Sequence, residues 1–442
     1  MSDTGPNVVV VCCDDLGYGD LSCYGAEYET PNVDRLADEG VRFADCHSNA
    51  PVCSPSRAAL LTGRYPGNAG VPGNVGDVRG NPSHDANTGL PPGQRTVAED
   101  LSEAGYDTAC IGKWHLGMRA ADGPNANGFD HFFGFRSGCV DYYSHLFIWK
   151  QGQGVEAYHD LWEDGEEVWE NGEYLTEEIT DRAVEYVEDH AGDDEDPFFL
   201  YVPYNAPHYP MHAPDEYFER FPDLEGDRLV QAAMVAGVDD GVGAVLDALE
   251  RTGQREDTVV VFTSDHGPSR ERRNHLDGDE GPYFGGETGG ARGHKFSLFE
   301  GGIRVPGIVS YPGEVPAGEV REQLVVGMDV APTLLELCGV DSAVDHDGES
   351  LVGVLRGNAD GPHVDERVFW SAGEQLAVRE GDWKLCLDVT ADVTDDVDEV
   401  DRHLANLAED PGERTDLSDE RPDLTADLAA AAREWRAELE RA

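Results

Sequence analysis

The chain has 442 residues, enough for one large domain and a smaller one, and 39% of them are hydrophobic, so a substantial core can form. It carries 89 acidic residues against 32 Lys and Arg, a formal net charge of −57 spread over the whole length. This charge argues against nucleic acids and anionic membranes as partners, because both bind to basic patches, and it predicts a halophilic protein whose carboxylate-covered surface is kept compact by salt.

Strands and helices are predicted to alternate over most of the chain. Short apolar runs that stop at Asp or Pro are typical of buried strands, and amphipathic stretches that end at Gly are typical of helices. This alternation favours an α/β fold with a large, mostly parallel sheet flanked by helices. In chain order, the predicted elements are the strand Val8–Cys13, the helices Pro31–Gly40 and Thr96–Gly105, the strand Thr108–Gly112, the helix Glu177–His190, the strand Phe198–Pro203, the helix Arg228–Thr252 and the strand Thr258–Ser264.

A smaller unit is predicted after an Asp- and Gly-rich stretch that runs from Gly339 to about Pro362. Short strand patterns and a final Ala-rich helix indicate an antiparallel α+β subdomain over residues 363–442, so residues 1–362 form the predicted catalytic domain. The patterns are Val368–Ser371, Leu376–Arg379 and Trp383–Leu387, and the helix is Thr425–Arg441.

Two stretches, Pro66–Arg95 and Gly267–His294, lack periodicity and are rich in Gly, Pro, Asn and Asp. Long irregular segments inside a compact domain are commonly functional or disordered. Each follows directly on one of the motifs described below, so we expect both to form rims of the active site.

The nine cysteines are an odd number, without the spacing of a disulfide framework and without a CxxC pair that would indicate zinc. The N-terminus leads into the first strand without an apolar signal segment, and no stretch is interpreted as membrane-spanning. We therefore expect the encoded protein to be cytoplasmic and to have no membrane partner.

The strongest chemical signal is the string CSPSR at Cys53–Arg57, which continues as AALLTGR. Pro55 near the start of an apolar helical run marks a helix N-terminus, so Cys53 is predicted where backbone N–H groups and the helix dipole favour an anion. Arg57 lies one turn further on, within reach of Cys53. A cysteine before a helix is more commonly buried or capping, but the complete string argues for a functional site.

Acidic residues follow two of the predicted strands. Asp14 and Asp15 follow Val8–Cys13, and Asp265 and His266 follow the later strand that ends at Ser264. Ligand sites of α/β sheets lie at the carboxyl ends of strands, and hard carboxylate oxygens suit Ca²⁺ or Mg²⁺. Each Asp alone would more commonly be a cap or turn residue, but together they predict a divalent-cation site.

Two of the four lysines in the chain lie in further motifs. Lys113 and His115 alternate in the string GKWHLG, which predicts that both side chains point to the same face of an extended segment. His208 lies in NAPHYP, directly after a predicted strand, and Lys295 lies in GHKFSLFEGGIRVP. Lys384 lies in a C-terminal motif that is interpreted as structural.

These strings resemble the signatures of the type I sulfatases, a family of the alkaline phosphatase-like superfamily, and they occur in the family's order from about Asn7 to about Leu417. The resemblance implies that a separate maturation enzyme oxidises Cys53 to formylglycine, whose hydrate is the nucleophile. One hydroxyl attacks sulfur, and the other expels sulfate as the aldehyde re-forms. The expected substrate is a sulfated small molecule or carbohydrate, which is hydrolysed to an alcohol and inorganic sulfate.

The resemblance also implies the metal ligands. Asp14, Asp15 and Asp265 are expected to hold Ca²⁺, with Mg²⁺ as the alternative. The modified side chain at Cys53 would complete the coordination shell of the cation. His266 stands where many members have Asn, so its role as a ligand or as an orienter of sulfate stays open.

The remaining site residues take their expected roles from the same resemblance. Lys113 and Lys295 would neutralise the sulfate oxygens, and Lys295 would also stabilise the leaving group. His115 would bind the formylglycine hydroxyl, and His208 would pass a proton to the departing alcohol. Arg57 is predicted to contact the side chain at position 53.

Two other functions remain open at this point. A phosphonate monoester or phosphodiester hydrolase would share the superfamily, and an inactive relative would bind sulfated glycans without cleaving them. The alcohol half of the substrate is not predicted, although Ser137 is a possible sulfate contact. Four aromatic residues could stack on a sugar or pack in the core: Tyr142, Tyr143, Trp149 and Trp162.

Overall fold

The computed structural model describes residues 5–76, 89–148, 156–192, 196–271, 281–358, 360–364, 366–390 and 399–441. Within these ranges, a ten-stranded mixed sheet forms the centre of the molecule. Its strands are numbered in chain order, and from one edge of the sheet to the other they are Glu319–Arg321 (β13), Val41–Phe43 (β2), Gly307–Ser310 (β12), Thr258–Ser264 (β11), Asn7–Cys13 (β1), Phe198–Pro203 (β10), Asp107–Lys113 (β4), His131–Phe135 (β5), Trp162–Glu163 (β8) and Glu166–Glu167 (β9).

Five neighbouring strands at the centre of this sheet, from β11 to β5, run parallel. The strand β12 on one side and β8 on the other pair antiparallel to them. Every residue of β10 and β11 is buried, as expected for strands that are covered on both faces. The predicted α/β fold class is confirmed.

Helices cover both faces of the large sheet. Because side chains alternate along a strand, Val9 and Val11 face one apolar core while Val8 and Val10 face another. The helices are Pro31–Asp38 (α1), Cys53–Thr62 (α2), Val97–Glu103 (α3), Leu175–Asp189 (α4), Asp215–Phe218 (α5), Gly226–Thr252 (α6), Glu300–Ile303 (α7), Val330–Cys338 (α8), Val352–Leu355 (α9) and Pro422–Leu439 (α10).

A four-stranded antiparallel sheet and the helix α10 form the small C-terminal unit. Leu376, Leu385, Leu404 and Leu428 share its apolar core. The predicted boundary between residues 362 and 363 stays a prediction. The strands are Arg367–Ala372 (β15), Gln375–Glu380 (β16), Trp383–Val389 (β17) and Val400–Asn406 (β18), and two short pairs elsewhere join Cys46–His47 (β3) to Val325–Val326 (β14) and Leu146–Phe147 (β6) to Tyr158–His159 (β7).

The helix α6 is long and apolar enough to cross a membrane by length and composition, contrary to our interpretation of the sequence. However, 78% of its most apolar window is buried inside the molecule, and core helices of soluble proteins pass the same test. All nine cysteines are free thiols.

Candidate active site

Two carboxylates meet at the carboxyl edge of the sheet because their strands are in register. Cys13 at the end of β1 pairs with Ser264 at the end of β11, so Asp14 and Asp265 emerge side by side. The backbone N–H of Asp265 donates to the Cys13 carbonyl at 3.0 Å, and the N–H of Asp15 donates to Asp265 Oδ1 at 3.3 Å. The sheet itself therefore gathers the three predicted aspartates.

Cys53 is the first residue of α2, a helix whose ten residues are all buried. Its Sγ lies 3.4 Å from Asp14 Oδ1 and 3.2 Å from His266 Nε2. Burial, followed by the charge of Asp14, raises the pKa of the Cys53 thiol. An unmodified Cys53 is therefore a poor thiolate nucleophile at neutral pH.

The orientation of His266 turns one ring nitrogen toward this cluster. Its Nδ1 lies 2.9 Å from the Gly267 carbonyl, which can only accept, so Nδ1 donates to this carbonyl and Nε2 faces the cluster. Nε2 lies 3.3 Å from Asp15 Oδ1 and 3.5 Å from Asp265 Oδ1. A histidine nitrogen that lies beside two carboxylate oxygens brings three candidate metal-ligand atoms together.

Further features of the same cluster fit a hard divalent cation. Asp15 Oδ1 is buried and accepts no hydrogen bond from the described residues, although Lys295 Nζ lies 3.1 Å away. Potential ligand atoms of Asp14, Cys53, Asp265 and His266 all lie within 4.8 Å of one another. Burial raises the pKa of Asp15 to about 7, because a buried carboxylate is costly to ionise. A bound cation would offset that cost. The residues present therefore fit Ca²⁺ or Mg²⁺.

Arg57 has different partners from those that the sequence indicates. We expected it to reach Cys53, but its Nε and Nη2 donate to Asp265 Oδ2 at 3.0 and 2.8 Å. Its Nη1 donates to the Lys113 carbonyl at 3.1 Å. The side chain runs from α2 toward the sheet, so it orients a candidate metal ligand and fixes the end of β4.

Lys113 and His115 are both buried near the cluster, but they do not share an extended segment. The strand β4 ends at Lys113, and His115 has a left-handed backbone with φ of 54°, so the expected strand alternation is wrong at this point. Lys113 Nζ forms an ion pair with Asp14 Oδ2. Burial opposes ionisation of Asp14, yet Lys113 and Arg57 outweigh it and lower its pKa.

Lys295 and His208 approach from two other loops. Lys295 Nζ lies 3.2 Å from His208 Nε2, and His208 Nδ1 donates to the Tyr209 carbonyl at 2.6 Å, so the ammonium donates to a neutral ring. Burial and then Lys295 lower the pKa of His208 well below its ordinary value. His208 therefore stays neutral in this arrangement, with its proton on Nδ1 and Nε2 turned toward the site.

A cavity of about 70 Å³ opens at these groups and contains four of the predicted residues: Cys53, His115, His208 and Lys295. Sequence reasoning did not single out the other five residues of its lining, namely Asn74, Gly138, Cys139, Glu271 and Phe296. Asn74 and Glu271 belong to the two segments that were predicted to form rims. Phe296 follows Lys295 directly, with φ of 76° and 44% exposure.

Ser137 does not lie in this lining. Its Oγ donates to the Cys139 carbonyl at 3.1 Å, while Gly138 and Cys139 line the cavity. Tyr142 is a core residue, whereas Tyr143 and Trp162 are partly buried. Trp149 and parts of both rim segments, residues 77–88 and 272–280, lie outside the described residues.

Comparison with known families matches nearly the whole chain. A model described as Sulfatase matches residues 6–340, and one described as N-sulphoglucosamine sulphohydrolase, C-terminal, matches residues 293–434. Arylsulfatase J of Mus musculus is 33% identical over 405 residues, which cover 86% of this chain and 64% of that protein. N-acetylgalactosamine-6-sulfatase of the same species is 35% identical over 396 residues, which cover 86% and 72%.

Solved structures resemble the chain over nearly its whole length. The crystal structure of Ps i-CgsB in complex with k-i-k-neocarrahexaose has a TM-score of 0.83 and 32% identity, covering 98% of this chain and 92% of that one. PsFucS1 sulfatase from Pseudoalteromonas sp. has a TM-score of 0.82 and 27% identity, covering 99% and 91%. The named relatives are sulfuric ester hydrolases.

Proposed function

This chain belongs to the sulfatase family, and on that premise we propose that it hydrolyses sulfate monoesters of carbohydrates to an alcohol and inorganic sulfate. One observation carries the proposal: Cys53 Sγ lies 3.2 Å from His266 Nε2 and 3.4 Å from Asp14 Oδ1. A nucleophile made at this position would lie against the acceptors that fit a cation. The carbohydrate substrate is inferred from a relative named for N-acetylgalactosamine and from a neighbour crystallised with an oligosaccharide.

The nucleophile in this proposal is a formylglycine hydrate formed from Cys53 by a maturation enzyme. Such a hydrate supplies two hydroxyls on one carbon, one to attack sulfur and the other to expel sulfate as the aldehyde re-forms. The backbone N–H of Ser54 donates to Asn74 Oδ1 at 3.1 Å, which anchors the start of α2.

Asp14, Asp15, Asp265 and His266 would hold the cation, which we propose is Ca²⁺. When bound, it supplies positive charge that polarises the sulfate group. Arg57 holds Asp265 through two hydrogen bonds to one oxygen, so the other oxygen remains directed at the cluster.

The cationic side chains around the cluster would then bind the sulfate oxygens. Lys113 lies on the Asp14 side and Lys295 on the Asp15 side, so the two ammonium groups flank the position that sulfur would occupy. As the ester bond breaks, negative charge grows on the leaving oxygen. In this proposal the Lys295 ammonium stabilises that charge and passes a proton to the leaving oxygen, and the neutral His208 ring, whose Nε2 accepts a hydrogen bond from Lys295, holds the ammonium in position.

The proposal is tested by measuring product and modification together. Protein from a host with a maturation enzyme should release sulfate from 4-nitrophenyl sulfate in concentrated KCl, and the mass of its Cys53 peptide should show the aldehyde. Bis(4-nitrophenyl) phosphate and a phenylphosphonate monoester are the competing substrates. A kcat/KM that is higher on either of these phosphorus esters than on 4-nitrophenyl sulfate would show that the protein is a phosphodiester or phosphonate monoester hydrolase instead.

Variants at position 53 test the chemistry. Cys53→Ala should abolish turnover, and Cys53→Ser should become sulfated without releasing sulfate, because it has a single hydroxyl. Steady turnover by the serine variant would contradict the hydrate mechanism. A wild type that carries the aldehyde and binds sulfated sugars without releasing sulfate would be a binding protein instead.

A further inference from the structure

Three arginines line a cavity of about 510 Å³ close to the active site: Arg270, Arg292 and Arg414. Acidic residues outnumber basic ones by 89 to 32 in this chain, so positive charge is scarce. Among the described residues of the lining, Glu287 is the only acidic one. The cavity is therefore a local patch of positive charge on a strongly negative protein.

Two of these arginines have no carboxylate partner among the described residues. Arg292 lies with its guanidinium carbon 4.2 Å from the centre of the Phe299 ring, and its Nη1 lies 3.3 Å from His403 Nδ1. Arg414 donates from Nη2 to the Gly290 carbonyl at 2.8 Å. A guanidinium has five N–H donors, so both retain donors for a bound anion.

The cavity adjoins the catalytic groups along the chain. Arg292 precedes Lys295 by three residues, which span at most ~11 Å of extended chain. Arg270 immediately precedes Glu271, which lines the active-site cavity. A ligand anchored at the arginines could therefore extend to the position of the reacting ester.

The net charge makes local positive charge important for an anionic substrate. A protein with a formal charge of −57 repels anions at long range, so a sulfated oligosaccharide needs local positive charge to bind. Resting on the proposed sulfatase function, we infer that this cavity binds an oxyanion, a sulfate or a carboxylate, on the sugar next to the one that carries the reacting ester.

The chemistry of the lining suits that ligand. Planar guanidinium groups bind carboxylate and sulfate oxygens through paired hydrogen bonds, which a lysine does not provide. Phe299 and the Gly290 carbonyl hold the two arginines in place, so little side-chain freedom is lost on binding. Arg414 comes from the C-terminal unit, which gives that unit a part in substrate selection.

The test compares Arg292→Gln and Arg414→Gln with the wild type and with Arg251→Gln. Arg251 lies on the last turn of α6 and pairs with Glu188 on the protein surface, so it controls for the lost charge. The substrates are a neutral sugar monosulfate, the same sulfated sugar joined to a uronic acid, and the same sugar joined to a second sulfated sugar. All assays run at one fixed KCl concentration, since salt screens the charges.

We expect both cavity variants to raise KM for the dianionic disaccharides about tenfold or more, because each variant loses one charge-assisted pair of hydrogen bonds to the anion. The monosulfate should change less than about twofold, and the Arg251→Gln control should match the wild type on all three. The disaccharide whose KM rises more identifies the bound anion as a carboxylate or a sulfate. Equal changes on all three substrates, or no change on either disaccharide, would overturn the inference.

Binding measurements separate this inference from the proposed function. Calorimetric Kd values for the two disaccharides do not require turnover. If no substrate is hydrolysed, the sulfatase proposal fails. Weaker binding of a disaccharide by both cavity variants, but not by the control, would still establish the anion site, and unchanged Kd values would refute it.

Discussion

The Lys295 ammonium nitrogen lies 2.9 Å from Glu271 Oε2 at the mouth of the active-site cavity. On its other side, it lies 3.1 Å from Asp15 Oδ1. Burial opposes the charge of Lys295, yet these carboxylates outweigh it and raise the pKa of Lys295 well above its ordinary value. A cation bound by Asp15 would draw that carboxylate away, and Glu271 would then be the main partner that keeps Lys295 charged and in position.

We predict that Glu271→Gln lowers kcat about tenfold and changes KM little, because the misplaced ammonium stabilises the leaving oxygen less. The loss should be larger for an alkyl sulfate than for 4-nitrophenyl sulfate, since the poorer leaving group needs more stabilisation. The measurement is kcat for both esters in the wild type, in Glu271→Gln and in the control Glu188→Gln, which changes a surface carboxylate. The same loss on both esters would contradict a role through Lys295.

Continuous apolar runs made the central strands predictable. The strands β10 and β11 have the bounds that the sequence indicates, because both are buried along their whole length. The strands β2 and β12 have only three and four residues, too few for a periodic signal. The strand β18 was missed because its first half, with Asp401 and Arg402, is exposed and polar.

The candidate site was predictable where a motif ends a strand, as at Asp14 and Asp265. The partner of Arg57 was not, because the helical spacing shows what the side chain can reach but not which acceptor lies there. Asn74 and Glu271 lie in irregular segments that sequence reasoning identified only as whole loops. Which residue of such a loop enters the cavity depends on tertiary packing, so no local pattern indicates it.

The cluster around Cys53 predicts a measurable metal affinity. Asp15→Asn preserves size and tolerates the left-handed backbone at this position, where φ is 66°, but it removes a charge. We expect the variant to bind Ca²⁺ at least about tenfold more weakly than the wild type and to lose most activity. Calorimetric titration of protein freed of metal with a chelator gives Kd directly.

Thermal unfolding provides a second measure of the same binding. A ligand that binds only the native state at 100 times its Kd adds ~2.7 kcal/mol of stability, so Ca²⁺ should raise Tm of the wild type. The control is Asp247→Asn, which removes a surface carboxylate that pairs with Arg35. If Asp15→Asn and the wild type show the same Kd and the same shift in Tm, Asp15 is not a ligand.

The surface charge predicts that salt stabilises the fold. With a formal net charge of −57, the folded chain repels itself, and the Debye length falls from ~10 Å at 0.1 M to ~3 Å at 1 M salt. We expect Tm to rise with KCl over this range, as measured by calorimetry. Sucrose at equal osmolality is the control, since it does not screen charge. A Tm that rises equally in both solutes would argue against screening, and a flat profile in KCl would argue against a halophilic protein.

A buried ionic cluster that joins the C-terminal sheet to α7 gives a pH-dependent prediction. Lys384 Nζ lies 2.8 Å from Glu300 Oε1 and 3.1 Å from Glu413 Oε1, and all three side chains are buried between the C-terminal sheet and α7. Burial, together with the charge of Glu300 and against the attraction of Lys384, raises the pKa of Glu413 to about 7 from an ordinary value of 4.5. The native state therefore binds more protons than the unfolded state between these two values.

The contribution of Glu413 to the free energy of unfolding is consequently largest below the pKa that this residue has in the unfolded state. It declines by on the order of 3 kcal/mol as the pH rises to about 7. Glu413→Gln should remove this decline, because the amide keeps the hydrogen bonds without ionising. The measurement is the free energy of unfolding by denaturant at about pH 5 and about pH 8. The exposed Glu409→Gln variant should follow the wild type at both values. Parallel profiles for the wild type and Glu413→Gln would show that Glu413 is ionised across the range and that its charge is already stabilised by Lys384.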